Sequence, residues 1–563
     1  MFNGNYLKQL RTDKNLTQNE LGEILGVTKS SICCYEKGTR TPTLENVLDM
    51  SKFFGVKVES LFDDEKGIVE QTVKERKYKM NLSDAEIIFM RKLRTNKEVA
   101  SAILEEPNKF IKLVKQDIKK RKKWYLFSFL CVIFIVGENM DINVILKKQV
   151  NEPLNYAEIQ FVVNSFINGT INEEIMKTFL QTIYDYGMTI DEIYALTDVM
   201  AKSGKILDFS SLNKTLVDKH STGGVGDKTT LVLLPIVSSL GLTIPKMSGR
   251  SLGLTGGTID KLESIYGYKV NLDNETLMAQ LKKIDMAVVA QSDDVAKADK
   301  MIYALRDKTK LVDSIPLIVS SILSKKIASG ANNIVIDLKV GSGAFMKDIE
   351  EATILANTMI EVGKKFNKKI VCVLTNMTYP VGKSIGNVLE VKEAIEFFNG
   401  IYDKRFCELV VYLASTMVKI GKNISFEEAN KQVLEVIANA SAKSRFYEWI
   451  EAQGGSLNSL KDYAKKMVIK TERDGFINNI DSKILAQLCS DLGASRKNGS
   501  DVIDYAVGIK LEKTVGEKVS RGDILCTIFF NKSVPKISET CRSAFLIEDT
   551  QKQLEKQILK VIE

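Results

Sequence analysis

The only histidine among the 563 residues, His220, lies in the run Asp218-Lys219-His220-Ser221-Thr222-Gly223-Gly224-Val225-Gly226-Asp227-Lys228-Thr229-Thr230. Cations, an imidazole, hydroxyls and glycines share this one short stretch. Glycine lets backbone N–H groups converge, and Lys, Ser and Thr add charge and donors, so the loop is suited to holding an anion. A second cluster follows at Lys246-Met247-Ser248-Gly249-Arg250-Ser251-Leu252-Gly253-Leu254-Thr255-Gly256-Gly257-Thr258-Ile259-Asp260-Lys261-Leu262-Glu263. Two such loops in one domain point to a single phosphate clamped from two sides.

Other phosphate chemistries fit poorly. The nucleotide-triphosphate loop wants glycine directly before its Lys-Thr pair, and Asp227 stands there before Lys228-Thr229. A carboxylate at the point of closest phosphate approach is unfavourable. Gly341-Ser342-Gly343 lacks the third glycine of a dinucleotide fingerprint.

The elements that must position these loops occupy a long chain. Its length calls for two to four domains. An apolar fraction of 44% and a charged fraction of 27% are those of a soluble globular protein. Much of the net charge of +8 falls in the first 123 residues, including Lys119-Lys120-Arg121-Lys122-Lys123. A basic N-terminal part points to nucleic acid or an anionic surface as a partner. The eight cysteines show no C-x-x-C spacing, and one histidine cannot build a His-rich metal site. No cleavable signal peptide is visible, and a cytoplasmic location with reduced thiols is expected.

Residues 5–62 read as short helices, with Leu7, Leu10, Leu16, Leu21, Ile24, Leu25, Val27 and Ile32 at helical spacing. Thr17 with Glu20 forms a capping box, Gly26-Val27 a turn, and Thr28 caps a second short helix through Tyr35. A further helix is expected from Thr43 to Phe54. Two short helices across a glycine-containing turn make a helix-turn-helix, whose second helix enters the major groove. Leu16-Thr17-Gln18-Asn19-Glu20-Leu21-Gly22, Val27-Thr28-Lys29-Ser30-Ser31-Ile32, Tyr35-Glu36-Lys37-Gly38 and Leu61-Phe62 resemble the Cro/CI-type repressor family over residues 1–65. The resemblance implies DNA as a partner. It sets Gln18 and Lys37 near phosphates and Thr28, Lys29, Ser30 and Ser31 at base edges.

Residues 66–139 read as a charged linker. Within it Trp124–Val136 is an apolar run, shorter than the roughly 17–25 residues of a spanning helix. A membrane anchor, a buried or oligomerising helix and an interfacial helix all remain open for it, so membrane association through 124–136 is one expectation.

From Met140 the pattern is helical to about residue 205, then strands with glycine-rich turns, then helical again over 295–330. Ile334-Val335-Ile336-Asp337-Leu338-Lys339-Val340 and Lys369-Ile370-Val371-Cys372-Val373-Leu374 read as buried parallel strands, and short strands with glycine turns dominate after 465. The expected class is α/β with a small C-terminal α+β module.

The two loops, with Lys339-Val340-Gly341-Ser342-Gly343-Ala344-Phe345-Met346, resemble the pyrimidine-nucleoside and thymidine phosphorylases from about Met140 onward. The resemblance implies a nucleoside phosphorylase type II fold, usually homodimeric. Its helical domain would take 140–210 and 295–330, its α/β phosphate-binding domain 211–294 and 331–464, and the C-terminal module 465–563. It implies an enzyme, a pentosyltransferase, in which inorganic phosphate attacks the sugar C1′ of uridine, deoxyuridine or thymidine while the pyrimidine leaves. Lys219, Ser221, Thr230, Lys246, Met247, Ser248 and Thr258 match phosphate-binding positions. Arg306, Ser321 and Lys325 match pyrimidine contacts. His220, with an unperturbed pKa of about 6.5, would bond O2 of the base and donate a proton to it.

Singly, Arg306 and Lys325 would be solvated charges on helices and Ser321 a packing residue; it is their joint occurrence at the family spacing that gives them these roles. Some members hold a potassium ion, and the matching positions are Gly226, Lys228, Val381, Ser384 and Glu393. Backbone carbonyls would serve at most of these, so the side chain of Lys228 need not matter. No organic cofactor is implied. Two departures from the family pattern stand at Leu254 and Ser495. The rival reading is a transcription regulator whose phosphorylase-like body senses nucleoside without turning it over.

Overall fold

The chain divides into two units, Met1–Ile142 and Asn143–Glu563. In the computed structural model residues 2–61 and 140–563 are described, apart from 15, 39–41, 43, 57, 150, 251–255, 293, 461–464 and 497–501. The linker with its apolar run 124–136 lies outside the described residues, as does Leu254. Among the described residues no helix is long and apolar enough to cross a membrane.

The first unit contains helices α1 (Gly4–Asp13), α2 (Gln18–Ile24), α3 (Lys29–Glu36) and α4 (Leu44–Phe54). Leu7, Leu21, Ile32, Val47 and Met50 form its core. The capping box is present: Glu20 N donates to Thr17 Oγ1 and Thr17 N to Glu20 Oε2. Beneath these helices runs a buried ion pair, with Arg11 Nε donating to Glu36 Oε1 at 2.5 Å and Nη2 to Oε2 at 3.1 Å. Removing one partner of a buried pair leaves a charge without compensation, at a cost of about 3–5 kcal/mol. Glu36→Ala is therefore expected to speed amide hydrogen exchange across α1–α3 of the full-length chain by roughly a hundredfold or more. Unchanged protection would show that the pair does not hold this unit.

The boundary between the units falls within α5 (Met140–Gln149), and the second unit continues with α6 (Tyr156–Ile167), α7 (Glu173–Tyr186) and α8 (Ile190–Lys202). Strand β1 (Val217–Ser221), helix α9 (Thr229–Ser238), β2 (Ile244–Ser248), α10 (Thr258–Glu263), α11 (Asn274–Ile284) and β3 (Met286–Ala290) follow. The chain then returns to helices with α12 (Lys297–Thr309) and α13 (Ile315–Ala328). Val144, Phe179, Leu196, Ala298, Ile302 and Leu317 share one apolar cluster, so the two helical stretches close a single bundle. Pro316 in the first turn of α13 presets its backbone for the helix.

Beyond the bundle come β4 (Asn333–Val340), β5 (Lys369–Asn376) and β6 (Ser384–Ile385). The central sheet runs β1-β4-β5, all parallel, flanked by the parallel pair β2-β3. The apolar, β-branched runs of β4 and β5 are buried on both faces, as parallel strands covered by helices require.

The C-terminal strands are β7 (Lys465–Lys470), β8 (Gly475–Ile480), β9 (Gly508–Leu511), β10 (Lys518–Val519), β11 (Ile524–Phe530), β12 (Phe545–Glu548) and β13 (Ile558–Ile562). They form antiparallel sheets ordered β6-β9-β11-β7 and β10-β8-β12. The last strand does not stay with that module. Strand β13 pairs antiparallel with β5 and becomes the fourth strand of the central sheet.

Candidate active site

The carboxyl ends of parallel strands are where open α/β sheets bind ligands. Here β1, β2 and β4 deliver the charged residues. Alternation along β1 sorts its side chains into two sets. Lys219 and Ser221 belong to one, Asp218 and His220 to the other.

In the first set, Lys219 is completely buried. Its Nζ donates to Thr229 Oγ1 at 2.6 Å and lies 3.2 Å from Asp337 Oδ2. Ser221 Oγ donates to Asp227 Oδ2 at 2.5 Å, while Asp227 Oδ1 accepts from Thr229 Oγ1, also at 2.5 Å. Burial alone would raise the Asp227 pKa, but Lys219, Lys339, Lys261 and the Ser221 hydroxyl outweigh it and hold the carboxyl well below its usual range. Asp227 thus ties together the cations and hydroxyls of the loop. Thr230 is buried in the first turn of α9. Asp337 accepts from Thr375 Oγ1 at 2.7 Å and pairs with Lys339 Nζ at 2.8 Å.

In the second set, Asp218 Oδ2 accepts from Lys326 Nζ of α13 at 2.6 Å, and Lys246 Nζ of β2 stands 3.5 Å from Oδ1. Burial opposes its ionisation, yet Lys246 and Lys326 keep Asp218 below the ordinary carboxylate range. The same surroundings act in reverse on His220. Burial, then Lys326, Lys246, Lys325 and Lys219, push the imidazole well below its ordinary value, so it is neutral near pH 7. Burial also pushes Lys246 well below the ordinary lysine range, with Asp218 opposing and Lys326 and Lys219 reinforcing.

The remaining positions matched to phosphate contacts lie on β2 and at the start of α10. Met247 places its side chain in an apolar cluster, and its carbonyl accepts from Lys246 Nζ at 3.1 Å. Ser248 ends β2, and Thr258 begins α10. Lys261, one turn further on, donates to the Asp227 carbonyl at 2.7 Å and pairs with Glu390 at 2.9 Å.

Across from β1, α13 carries Ser321 and Lys325 one turn apart, with Lys325 Nζ donating to Ser321 Oγ at 3.0 Å and to Asp299 Oδ2 at 2.5 Å. Arg306 is 2% exposed. It donates from Nε to Leu311 O, from Nη1 to Leu317 O and from Nη2 to Val312 O, at 2.9–3.0 Å. Three of its five N–H groups therefore shape the turn between α12 and α13. Desolvation pushes its pKa down to about 10. Ser495 is buried and donates to Ser490 Oγ at 2.9 Å, away from these groups.

The five positions matched to potassium do converge, but around an ammonium. Lys228 Nζ donates to Val381 O at 2.6 Å, Ser384 O at 2.9 Å and Glu393 Oε2 at 2.6 Å. The side chain of Lys228, expected not to matter, is the centre of the cluster, and the residues present leave no place for a resident potassium ion.

In the first unit, Thr28 and Ser31 start α3: Ser31 N donates to Thr28 Oγ1 at 3.2 Å and the two hydroxyls are 3.0 Å apart. Lys29, Ser30 and Lys37 are exposed. Gln18 turns its amide inward, donating to Glu36 Oε2 at 2.8 Å.

Reasoning from the sequence passed over Asp218, Asp227, Asp337, Lys326 and Lys339 as working parts of the site. A signal existed for Asp337 and Lys339, because charges at alternate positions of an otherwise apolar buried strand must be paired.

Comparison with known proteins agrees with this arrangement. Models of the glycosyl transferase family match at residues 142–204 (helical bundle domain) and 213–443 (a/b domain). The pyrimidine nucleoside phosphorylase C-terminal domain matches at 476–547 and a helix-turn-helix at 7–61. The chain is 43% identical over 398 residues to a pyrimidine-nucleoside phosphorylase of Geobacillus stearothermophilus, covering 69% of this chain and 92% of that protein. It is 41% identical over 417 residues to one from Staphylococcus aureus (strain N315), covering 72% and 96%. Behind an N-terminal helix-turn-helix module, the chain belongs to the pyrimidine-nucleoside phosphorylase family.

Proposed function

We propose that the second unit catalyses the reversible phosphorolysis of uridine, deoxyuridine and thymidine to free base and (deoxy)ribose 1-phosphate. The observation that carries this reading is the two-sided character of β1. Lys219 and Ser221 sit with Asp227 and Thr229 in an anion-holding loop, while His220 sits with the lysines of α13 and β2. Lys219, Ser221, Thr230, Ser248 and Thr258 hold the phosphate dianion against C1′, which is catalysis by positioning. Arg306, Ser321 and Lys325 hold the pyrimidine and stabilise the negative charge it gains on leaving. His220 acts as a neutral N–H donor to the base, and an arriving dianion counters the lysines that depress its pKa. The chain works as a homodimer, and the first unit binds DNA through the exposed start of α3.

Release of uracil or thymine by the full-length protein tests the activity. Base is expected only when inorganic phosphate is present. Nucleoside binding that alters DNA affinity with no base released would establish the sensor instead.

Lys246 gives the reaction a pH dependence of definite sign. In the free enzyme its pKa is depressed, so above neutrality it is largely uncharged, whereas a bound dianion favours the charged form. Phosphate must then recruit a proton. Its KM is expected to rise with pH between neutrality and the ordinary lysine range of about 10, by up to about tenfold per unit. Lys246→Met should flatten that rise; a slope unaltered by the substitution would assign it to another group.

A further inference from the structure

We infer that Lys228 is a built-in monovalent cation: its ammonium takes the place of a resident potassium ion and fixes the phosphate loop without any dissociable metal. The side chain is fully buried, and its N···O distances of 2.6–2.9 Å are those of charge-assisted hydrogen bonds. Three protons meet three oxygens, two of them backbone carbonyls and one a carboxylate. Glu393 is committed in turn, since Oε1 accepts from Lys383 N and Oε2 from Ser384 N, each at 2.7 Å. The ammonium also stands 5.4 Å from the ring centroid of Phe406, a further site for a cation.

The cage is closed by backbone. At Gly226, with φ of +72°, an added Cβ would come within 2.8 Å of Val381 O and 3.0 Å of Ser384 O. At Gly382 it would come within 2.3 Å of Glu393 Oε1 and 2.9 Å of Lys228 Nζ. A second cation in this space would meet the ammonium at close range with one carboxylate to offset two charges.

The placement matters for the reaction because Asp227 lies between Gly226 and Lys228. The ammonium bonds reach 153 and 156 residues along the chain to Val381 and Ser384, and Val381 N donates to Val225 O at 2.9 Å. Both flanks of Asp227 are thereby pinned, and Asp227 is the carboxylate that holds Ser221 and Thr229. Lys228 is a positioning residue that acts through Asp227.

The inference does not depend on the proposed activity, because melting of the full-length protein reads it without substrate. Melting temperature and the KM for phosphate are measured in buffers whose only monovalent cation is tetramethylammonium, and again with potassium or ammonium chloride added. The wild type is expected to give the same values in all of them. Lys228→Ala is expected to melt lower and to raise the phosphate KM by roughly tenfold, and to recover both when potassium or ammonium is added. Lys228→Met, which fills the cage without charge, should show the loss and no recovery. If Lys228→Ala is unfolded in the tetramethylammonium buffer, refolding on addition of ammonium or potassium supports the inference. A wild type that melts higher or binds phosphate better with potassium would overturn it. So would a Lys228→Ala protein that neither cation improves.

Discussion

Lys219→Ala is expected to cut phosphorolysis by roughly a thousandfold, the upper range for losing one preorganised group that stabilises charge. Lys219 is entirely buried, and its Nζ is held by Thr229 Oγ1 and Asp337 Oδ2. The same change leaves Asp337 facing Lys339 as its remaining cation within contact, and breaking a buried pair costs about 3–5 kcal/mol. Loss of activity could then reflect loss of fold, and phosphate-dependent melting separates the two. Phosphate should raise the melting temperature of the wild type by mass action and leave that of a folded Lys219→Ala protein unmoved. A variant that phosphate still stabilises as strongly would remove Lys219 from the anion site.

Arg306→Ala is the second large effect, and it has two parts. The guanidinium supplies donors to the carbonyls of Leu311, Val312 and Leu317, and a buried carbonyl left without a donor costs about 1–3 kcal/mol. The turn into α13 should loosen, taking Ser321 and Lys325 out of register with His220. We expect a lower melting temperature together with a fall in kcat/KM for uridine of about a hundredfold or more. Arg306→Lys keeps the charge but not the planar fork, so it should restore little. An alanine variant that melts and turns over as the wild type does would show that neither the turn nor the base needs this residue.

These two residues also mark how far the site can be read from the chain. The loops at 218–230 and 246–263 are local, and their glycine, lysine and hydroxyl content already points to phosphate. Helices of the first unit are equally local, and the Thr17–Glu20 capping box appears where the spacing puts it. What cannot be read are partners brought in from far away. Lys228 looks like one more cation in a polar loop until Val381, Ser384 and Glu393 close around it. Burial pushes the His220 pKa down, reinforced by Lys326, Lys246 and Lys325, which arrive on α13 and β2. Strand β13 carries no sign in its own residues that it will leave the C-terminal module and pair with β5. Arg306 stood out as a base ligand by resemblance alone, and its work on the 311–317 carbonyls needed the fold.

Phosphate is the attacking group in the proposed reaction, and phosphorus-31 NMR of the full-length protein with uridine and inorganic phosphate tests that directly. A pentose 1-phosphate resonance should grow as the phosphate signal declines, in step with the uracil released. Uracil released with the phosphate signal unchanged, or no uracil at all from a folded protein, would contradict it.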